Sequence, residues 1–423
     1  MSRRVVITGM GVVSPNANGL ADFEKALRQG RSGIRNIPAL EELGFACRIA
    51  GVPENFEPWC RKMVPEHEIL GSSDSLDYVA AAALEAWDDS GLARPEPDDE
   101  PDWDTGAVVG TGIGDMHTIA ERIVPMVNAK NVRRLGSRVV EQVMHSGPSA
   151  RVAGLLALGN RVSSNSSACT TGTEAVVEAA GRIRDGQARR MVAGACEGAC
   201  PHTWGGFDSM RVLARKYNDR PQAGSRPMSA TADGFVPGAG AGILILEELE
   251  TALARGARIH AEILGGFVNC GGQRKGGSMT APNPAGVRRC IEGCLARAGV
   301  SPQEIDAVSG HLTATQADPL EIGNWAAALS ATPASFPFIN STKSLIGHCL
   351  GAAGAIETVA AVLELCKGFL HPSENCEDPH PDIEPYAERL VRTAMEAPGL
   401  RTMAKASFGF GDVNACMILR KWS

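Results

Sequence analysis

Short apolar runs alternate with longer segments in which apolar residues recur every three or four positions. This alternation extends from Val5 to Glu250 and resumes from Ile259 to Leu419. The short runs predict β-strands, and the longer segments predict helices that bury one face. The pattern therefore predicts an α/β protein whose two similar halves, residues 1–255 and 256–423, each supply a layer of sheet with covering helices.

Two helices stand out as counterparts in the two halves. The first is predicted from Thr173 to Gly186, where a stripe of apolar residues shares one face and glycine marks the end. The second is predicted from Ala352 to Lys367. Two other zones lack a clear period. Arg94 to Asp102 is acidic and proline-rich, which predicts a surface loop, and Pro58 to Glu68 is interpreted as a loop or a short insertion.

Composition narrows the classes of function. The chain has 423 residues and a net charge of −7, which argues against nucleic acid as a main partner. No run of eighteen apolar residues exists, so we expect no membrane span. A strand begins almost at the N-terminus, which argues against a signal peptide. The twelve cysteines are scattered, and in an unsecreted chain of this length we expect reduced thiols and a cytoplasmic location.

Cys169 lies where a predicted strand, Arg161 to Ser164, turns into the first of the two helices. A thiol at a helix N-terminus is near unpaired N–H groups and the positive end of the helix dipole. Both favour the thiolate, which is the nucleophilic form. The alternative is a buried cysteine that acts only as a small apolar side chain.

Two histidines occupy matching positions in the second half. His311 follows the apolar run Ile305 to Val308, and His348 lies in the segment that follows Phe336 to Ile339. Ligands of open α/β sheets bind at such strand ends. A single histidine on a loop is more often structural than catalytic. One thiol and two imidazoles in equivalent topological positions nevertheless indicate a nucleophilic site.

Two other types of motif give weaker indications of function. Glycines at 9–11 and 110–114 follow apolar runs, but they lack the full spacing of a dinucleotide fingerprint, so we interpret them as tight turns. Cys196, Cys200 and His202 have nearly the spacing of metal ligands, without a second cluster to complete four ligands. We therefore predict no metal.

In one order along the chain, several motifs resemble those of the β-ketoacyl-acyl-carrier-protein synthases, the elongating condensing enzymes of the thiolase superfamily. These are the opening strand from Arg4 to Pro15, the nucleophile pair Ala168-Cys169, the mid-chain Asp233-Gly234-Phe235-Val236, the His, Lys and His at 311, 343 and 348, and the glycine-rich Ser407 to Gly411. The resemblance implies a thiolase-like α/β fold with two pseudo-repeated halves in a layered α/β/α/β/α core.

The resemblance also implies a decarboxylative Claisen condensation. An acyl group held on Cys169 would react with malonyl-acyl-carrier-protein to give a β-ketoacyl product in fatty acid or related lipid or polyketide synthesis. His311 and His348 would stabilise the enolate oxygen, and backbone N–H groups of Cys169 and Phe410 would bind the acyl oxygen. Lys343 would act electrostatically, holding the histidine network together with Glu321. Phe408 belongs to the same supporting set.

The resemblance also implies which residues contact the substrate and the partner protein. Thr313 and Thr315 match threonines that bind the phosphopantetheine arm of acyl carrier protein. Arg61, Lys62 and Arg211 fall near positions that dock the acidic carrier. The resemblance implies a homodimer that pairs through a sheet edge near the nucleophile strand. No metal or redox cofactor is implied, because release of carbon dioxide drives the condensation.

The chain departs from the common family pattern at several positions, which marks it as a divergent member. Leu312 and Ala314 stand where glycine and serine are usual, and Asp412 and Val413 replace glycine and threonine. The segment between His311 and the acid at 321 is one residue short. These departures lead us to expect a specialised acyl substrate.

Two other classes remain open. A thiolase would need a second reactive cysteine on the C-terminal glycine-rich loop. A non-catalytic partner subunit of the chain-length-factor kind would be expected to lack the nucleophile.

Overall fold

A computed structural model describes residues 3–69 and 74–422. The strands, numbered in chain order, are β1 Val5–Ser14, β2 Ala17–Asn18, β3 Ile34–Asn36, β4 Ile49–Gly51, β5 Thr105–Gly110, β6 Val162–Ser163, β7 Arg190–Glu197, β8 Gly240–Glu248, β9 Ala261–Cys270, β10 Ala307–Ser309, β11 Phe338–Asn340, β12 Phe369–Leu370, β13 Met395–Glu396, β14 Thr402–Gly409 and β15 Val413–Lys421.

The α-helices are α1 Leu20–Arg28, α2 Pro38–Glu42, α3 Phe56–Met63, α4 Asp74–Asp89, α5 Met116–Thr118, α6 Val124–Asn128, α7 Val139–Val143, α8 Gly147–Leu155, α9 Thr171–Arg184, α10 Pro201–Ser209, α11 Leu249–Ala254, α12 Pro284–Ala298, α13 Asp318–Ala328, α14 Lys343–Ile346 and α15 Ala353–Lys367. A π-helical turn spans Ile119–Ile123, and 3₁₀ turns span Glu66–Glu68, Val132–Arg134, Ala168–Thr170, Pro221–Ala223, Pro302–Glu304, Leu350–Ala352 and Pro381–Arg389.

The main sheet has eleven strands: ten form two five-stranded halves with the same internal order, and β2 pairs with β1 beside them. The first runs β6-β5-β7-β8-β1, and the second runs β11-β10-β14-β15-β9. In each half the first three strands are parallel and the last two pairings are antiparallel. The halves join where the start of β1 pairs with the start of β9. The predicted internal repeat is therefore present in the strand order.

Helices α9 and α15 form the central layer. Both contact strands of the first half and strands of the second, whereas α4 and α8 pack on the first half and α12 packs on the second. The resulting order is helix, sheet, helix, sheet, helix. Because the central helices are enclosed on both sides, their apolar residues are buried, including nearly all of α15.

Two glycines allow the central helices to approach each other closely. A Cβ at Gly172 would collide with the backbone of Ala355, and a Cβ at Gly354 would lie 2.6 Å from the backbone nitrogen of Thr173. Thr173 is also bonded through its hydroxyl to the hydroxyl of Ser407 on β14, at 2.8 Å. The N-terminal ends of α9 and α15 are therefore held together at the centre of the molecule.

The predicted helices and strands are present, with shifts of one to three residues at their ends. Arg94 to Asp102 forms the expected surface loop and is largely exposed. The prediction for Pro58 to Glu68 was wrong, because this segment contains most of α3 and a 3₁₀ turn. Cys60 is the buried residue of α3, and Phe56, Trp59 and Met63 pack beside it on the apolar cluster that includes α4. The apolar residues at 56, 59, 60 and 63 have helical spacing, but a helix of eight residues that contains Pro58 gives only about two turns of this pattern, too few to distinguish it from a loop.

Within the part of the chain that the structure describes, no helix is both long and apolar enough to span a membrane.

Replacing Gly354 tests the central helix contact. Gly354→Ala places a methyl group against backbone atoms of α9, which cannot rotate away, so we expect the free energy of unfolding to fall by about 1–3 kcal/mol. Gly181→Ala is the matched control, because Gly181 is in the same layer with open space around it, and alanine favours a helix. Urea denaturation measures both. Equal stability of the two variants would contradict a tight contact at Gly354.

Candidate active site

Cys169 lies in the 3₁₀ turn that leads directly into α9. Ala168, the residue before it, has a φ of 49°, which turns the chain sharply between β6 and the helix. The Thr171 hydroxyl accepts a hydrogen bond from the Ser167 N–H at 2.9 Å and donates one to the Ala168 carbonyl at 2.7 Å. These local bonds hold the turn and direct the thiol towards the second half of the molecule.

The structure brings the three predicted reactive groups together. His348 Nε2 lies 3.1 Å from the Cys169 sulfur. The ligand-type atoms of Cys169, His311 and His348 all lie within 4.8 Å of one another, and the two imidazole rings are 5.4 Å apart between centroids, edge to face. Phe235, from the predicted mid-chain motif, packs against the His348 ring at 5.2 Å.

The hydrogen-bond network assigns the same tautomer to both imidazoles. His348 Nδ1 accepts the Leu350 N–H at 3.2 Å, so its proton is on Nε2, which faces Cys169. The Lys343 ammonium lies 3.5 Å from His311 Nδ1, which makes that nitrogen the acceptor. Both rings therefore present an Nε2–H, the form that donates a hydrogen bond to an anionic oxygen.

Lys343 contacts a different carboxylate from the one that the sequence analysis associated with it. Its ammonium donates to the His311 carbonyl at 2.6 Å and forms a short ion pair with Glu357 of α15. Glu321 instead accepts the backbone N–H groups of His311 and Leu312, at 2.7 and 2.8 Å. Lys343 and Glu321 thus support His311 from two sides without bonding to each other.

Asp318 shapes the loop after His311. Its carboxylate accepts the N–H groups of Thr313 and Ala314 at 2.8 and 3.0 Å. Leu312 and Ala314, two of the departures from the family pattern, have φ values of 22° and 63°. Side chains rarely adopt this region, so the carboxylates at 318 and 321 compensate for backbone strain in the loop.

Burial dominates the protonation of the nucleophile. It raises the pKa of Cys169 to about 11, and the positive charge of Lys343 and the Phe410 N–H only partly oppose it. The predicted lowering by the helix N-terminus is therefore outweighed. Burial, followed by the charge of Lys343, lowers the pKa of both His311 and His348 well below the ordinary value. At neutral pH the site contains a thiol and two neutral imidazoles.

The glycine-rich loop closes the site from the C-terminal half. A Cβ at Gly409 would lie 3.1 Å from the backbone nitrogen of Cys169, so glycine allows this loop to approach the nucleophile. Phe408 is buried 6.2 Å from the His311 ring, and Phe410 is half-buried beside Phe207 at 6.0 Å. Both predicted phenylalanines therefore border the reactive groups.

The remaining predicted residues lie at the surface or at the border of the site. Thr313 and Thr315 are half-buried, with hydroxyls 3.0 Å apart. Arg61 is exposed and paired with Glu57 at 2.8 Å. Lys62 is exposed on α3, and Arg211 is exposed just after α10.

The thiol and two imidazoles are also a set of donors that soft metals accept. The charged side chains next to these donors, however, disfavour the binding of a cation. Lys343 and Lys405 are both buried against the single carboxylate of Glu357. This surplus of positive charge favours an anion over a cation in the site. Of the weaker cysteine cluster, Cys196 is buried and His202 is paired with Glu121 at 2.7 Å.

The sequence analysis missed Glu357, Lys405 and Asp318. The first two had a signal in the sequence, since each is a charged residue within a segment that is otherwise apolar. A charge at such a position is rare unless it is paired. Their partners could not be identified, because α15 and β14 meet only in the folded chain.

Comparison with known proteins agrees with this geometry. Residues 2–252 match the N-terminal domain of β-ketoacyl synthase, and residues 260–377 match its C-terminal domain. The chloroplastic 3-oxoacyl-[acyl-carrier-protein] synthase I of Arabidopsis thaliana is 37% identical over 98% of this chain and 85% of its own length. The 3-oxoacyl-[acyl-carrier-protein] synthase 2 of Vibrio harveyi is 34% identical over 99% of both chains.

Solved structures give the same result. The ishigamide ketosynthase/chain length factor is similar with a TM-score of 0.88 and 32% identity over 100% of both chains. A type II polyketide synthase ketosynthase in complex with its acyl carrier protein, AntDE:AntF, is similar with a TM-score of 0.87 and 30% identity, also over 100% of both chains.

The fold and the Cys-His-His site together define a condensing enzyme of the thiolase fold. The chain belongs to the β-ketoacyl synthase family. It is an acyltransferase of the 3-oxoacyl-acyl-carrier-protein synthase type, which confirms the predicted class of fold and of reaction.

We predict that Cys169 is the only residue that becomes acylated. It is the thiol that contacts an imidazole and the Phe410 N–H, whereas Cys196 and Cys416 are fully buried away from the triad. Peptide mapping after incubation with an acyl thioester measures the label. Cys169→Ala should remove it, and label that persists on another cysteine in this variant would contradict the assignment.

Proposed function

We propose that the condensation proceeds in two half-reactions, which together use Cys169, His311 and His348. In the first, the Cys169 sulfur attacks the carbonyl carbon of an acyl thioester. The bond from that carbon to the carrier sulfur breaks, and the thiol proton ends on the departing carrier thiol. The His348 Nε2–H and the Phe410 N–H face the sulfur, so both stabilise the negative charge that it carries as it reacts.

In the second half-reaction a malonyl thioester loses carbon dioxide. The electron pair of the broken carbon–carbon bond moves into an enolate, whose oxygen becomes negative. The enolate carbon then attacks the acyl carbonyl, the bond to Cys169 breaks, and the released Cys169 thiolate takes up a proton from water to restore the thiol. The observation that carries this proposal is that both imidazoles are neutral Nε2–H donors beside the thiol, which suits them to bind the enolate oxygen.

This chemistry needs no resident metal or redox group, because the loss of carbon dioxide makes the condensation favourable. The phosphopantetheine arm of the carrier would supply the thioester as part of the substrate. Thr313 and Thr315 border the loop of His311, and their half-exposed hydroxyls are available to bind that arm.

Alanine variants of the two histidines test whether the imidazoles act mainly in the decarboxylation step. His311→Ala and His348→Ala should slow malonyl decarboxylation by ~10²–10³, the usual effect of losing one oxyanion donor, and should slow acyl loading less. Carbon dioxide release and acyl-enzyme mass are measured on the same samples. His202→Ala is the control, because His202 is half-exposed and paired with Glu121 outside the triad. Normal decarboxylation in both triad variants would refute the assignment.

An acidic acyl carrier protein is the proposed partner, and it would dock on local basic surfaces of this acidic chain. Arg211 is the best placed of the predicted docking residues, because Arg61 is already bonded to Glu57 and Glu66.

The structure adds a second basic surface, which we name the 130–138 segment. Its exposed cations are Lys130, Arg133, Arg134 and Arg138. It follows α5 and the π-helical turn, which contact α10 through the Glu121–His202 pair.

Charge reversal tests carrier docking. Arg211→Glu, and the pair Arg133→Glu with Arg134→Glu, should each raise KM for carrier-bound acyl substrate several-fold at low salt. Neither should alter acylation by a small carrier-free thioester. Arg189→Glu is the control, because Arg189 is exposed at the far end of β7 from the site. An unchanged KM for the carrier-bound substrate would count against docking at these residues.

We also propose a homodimer and a cytoplasmic location. The short strand β6 ends the sheet and leaves its outer edge without a strand partner among residues 3–69 and 74–422. Because β6 leads to the nucleophile, pairing of this edge with a second copy would place the two sites near the interface. An unpaired edge strand is a site of association.

The departures from the family pattern at Asp412 and Val413, just after Phe410 in the glycine-rich loop, support a specialised acyl substrate. Asp412 is buried with a φ of 64°, and its carboxylate accepts the N–H groups of Gln273 and Asn283 at 2.8 and 2.7 Å. The Gly411 N–H donates to the Met279 carbonyl at 2.7 Å. The glycine-rich loop is therefore tied to the exposed 271–283 loop, which restricts how the segment beside Phe410 can move.

A further inference from the structure

Lys405 is a second lysine buried beside the site, and the reaction as described above does not use it. It lies on β14 with none of its surface exposed. Its ammonium is 2.8 Å from Oε2 of Glu357 and 3.3 Å from the Ser407 hydroxyl, and it also donates to the Ala406 carbonyl. Burial of an ammonium is costly, so a fully buried lysine in an apolar strand requires a specific partner.

That partner is shared with the active site. Glu357 presents Oε1 to Lys343 and Oε2 to Lys405. Lys343 in turn bonds to the His311 carbonyl and lies beside His311 Nδ1. A continuous series of contacts therefore links Lys405 to an imidazole through one carboxylate and one ammonium.

The charges in this series do not cancel. Two ammoniums and one carboxylate, all at most 1% exposed, leave one surplus positive charge behind the histidines. An ion pair of Lys343 and Glu357 alone would be neutral. Buried surplus charge lowers stability, and it is tolerated where it favours an anion that forms during the reaction.

Other ionisable groups also face this cluster. Glu321 of α13 faces it, and Cys416 of β15 faces Lys405. Glu197 at the end of β7 acts on Cys169. Burial raises the pKa of Glu321 and of Glu197 to about 7, so neither supplies a full negative charge near neutral pH. Burial, followed by positive charge that includes Lys405, lowers the pKa of both imidazoles.

We propose that Lys405 is a positioning residue for the condensation, because it holds Glu357 against Lys343. Its surplus positive charge stabilises the enolate and disfavours protonation of the two imidazoles. This proposal rests on the assignment of the two histidines to decarboxylation. The two hypotheses can be tested separately, because the alanine variants of His311 and His348 test the role of the histidines without changing Lys405.

Lys405→Met tests the proposal, because methionine fills similar space without charge. Removing a positive charge makes each imidazolium easier to form, so the imidazole pKa rises. We expect the acid limb of the pH profile of carbon dioxide release to move upward by about one pH unit. At pH values above the limb, the rate per acylatable Cys169 should fall about tenfold, since the enolate is less stabilised.

Lys405→Arg should restore the position of the limb, because it restores the charge. Lys421→Met is the control, since Lys421 lies on the adjacent strand β15 and is half-exposed. Rates are normalised to the amount of Cys169 that accepts an acyl group, so partial unfolding does not imitate the effect. An acid limb that stays in place in Lys405→Met would overturn the proposal.

A second variant keeps the test decisive if Lys405→Met does not fold. Glu357→Gln removes the negative charge and leaves both ammoniums, so the surplus becomes larger. The imidazole pKa should then fall, and the acid limb should move in the opposite direction, to lower pH. A limb that does not move in Glu357→Gln would also overturn the proposal, because it would show that the charge of the cluster does not reach the histidines.

Discussion

The close approach of α9 and α15 is the constraint on which the active site depends. Cys169 precedes one helix and His348 precedes the other, and the two helices meet where Gly172 faces Ala355 and Gly354 faces Thr173. A side chain at either glycine would separate the helix ends. A thiol-to-imidazole distance of 3.1 Å between residues 179 positions apart is therefore a consequence of helix packing. The loops that carry the reactive groups add only the final orientation.

The second organising feature is the buried charge around this contact. The site is enclosed by protein, which raises the pKa of the thiol and lowers the pKa of both imidazoles. Burial alone would disfavour every anion that the reaction forms. In the reaction that we propose, the Phe410 N–H and the two Nε2–H groups compensate by donating to the atoms that become negative, and the ammoniums of Lys343 and Lys405 add positive charge behind the histidines. A low dielectric strengthens these interactions, so few groups are sufficient.

The loops at the edge of the site show how divergence is accommodated. Leu312, Ala314 and Asp412 occupy left-handed backbone positions that glycine would adopt more easily. In each case a carboxylate bonds nearby backbone N–H groups: Glu321 and Asp318 in the first loop, and Asp412 itself in the second. The strained conformations are therefore stabilised by hydrogen bonds. Cys169, His311 and His348 come together beside these substituted loops.

Much of the fold and the reactive triad could be predicted from the sequence. Periodicity revealed the α/β class and the two similar halves, and strand-end positions indicated that Cys169, His311 and His348 would meet. Local patterns are sufficient for these features because apolar spacing and turn residues act over a few positions. The helix at Phe56–Met63 was missed, since about two turns of apolar spacing, interrupted by Pro58, are too short to distinguish a helix from a loop.

Only the tertiary structure decided the electrostatics and the pairings. The sequence places a lysine at 343, an acid at 321 and charges at 357 and 405, but it does not indicate which of them touch. The ion pair of Lys343 is with Glu357 of α15, whereas Glu321 of α13 accepts the backbone N–H groups of His311 and Leu312. The protonation of Cys169 likewise depends on how completely the second half covers it. Residue type and local spacing are properties of the sequence, whereas burial and the identity of a charged partner arise only when distant segments pack together.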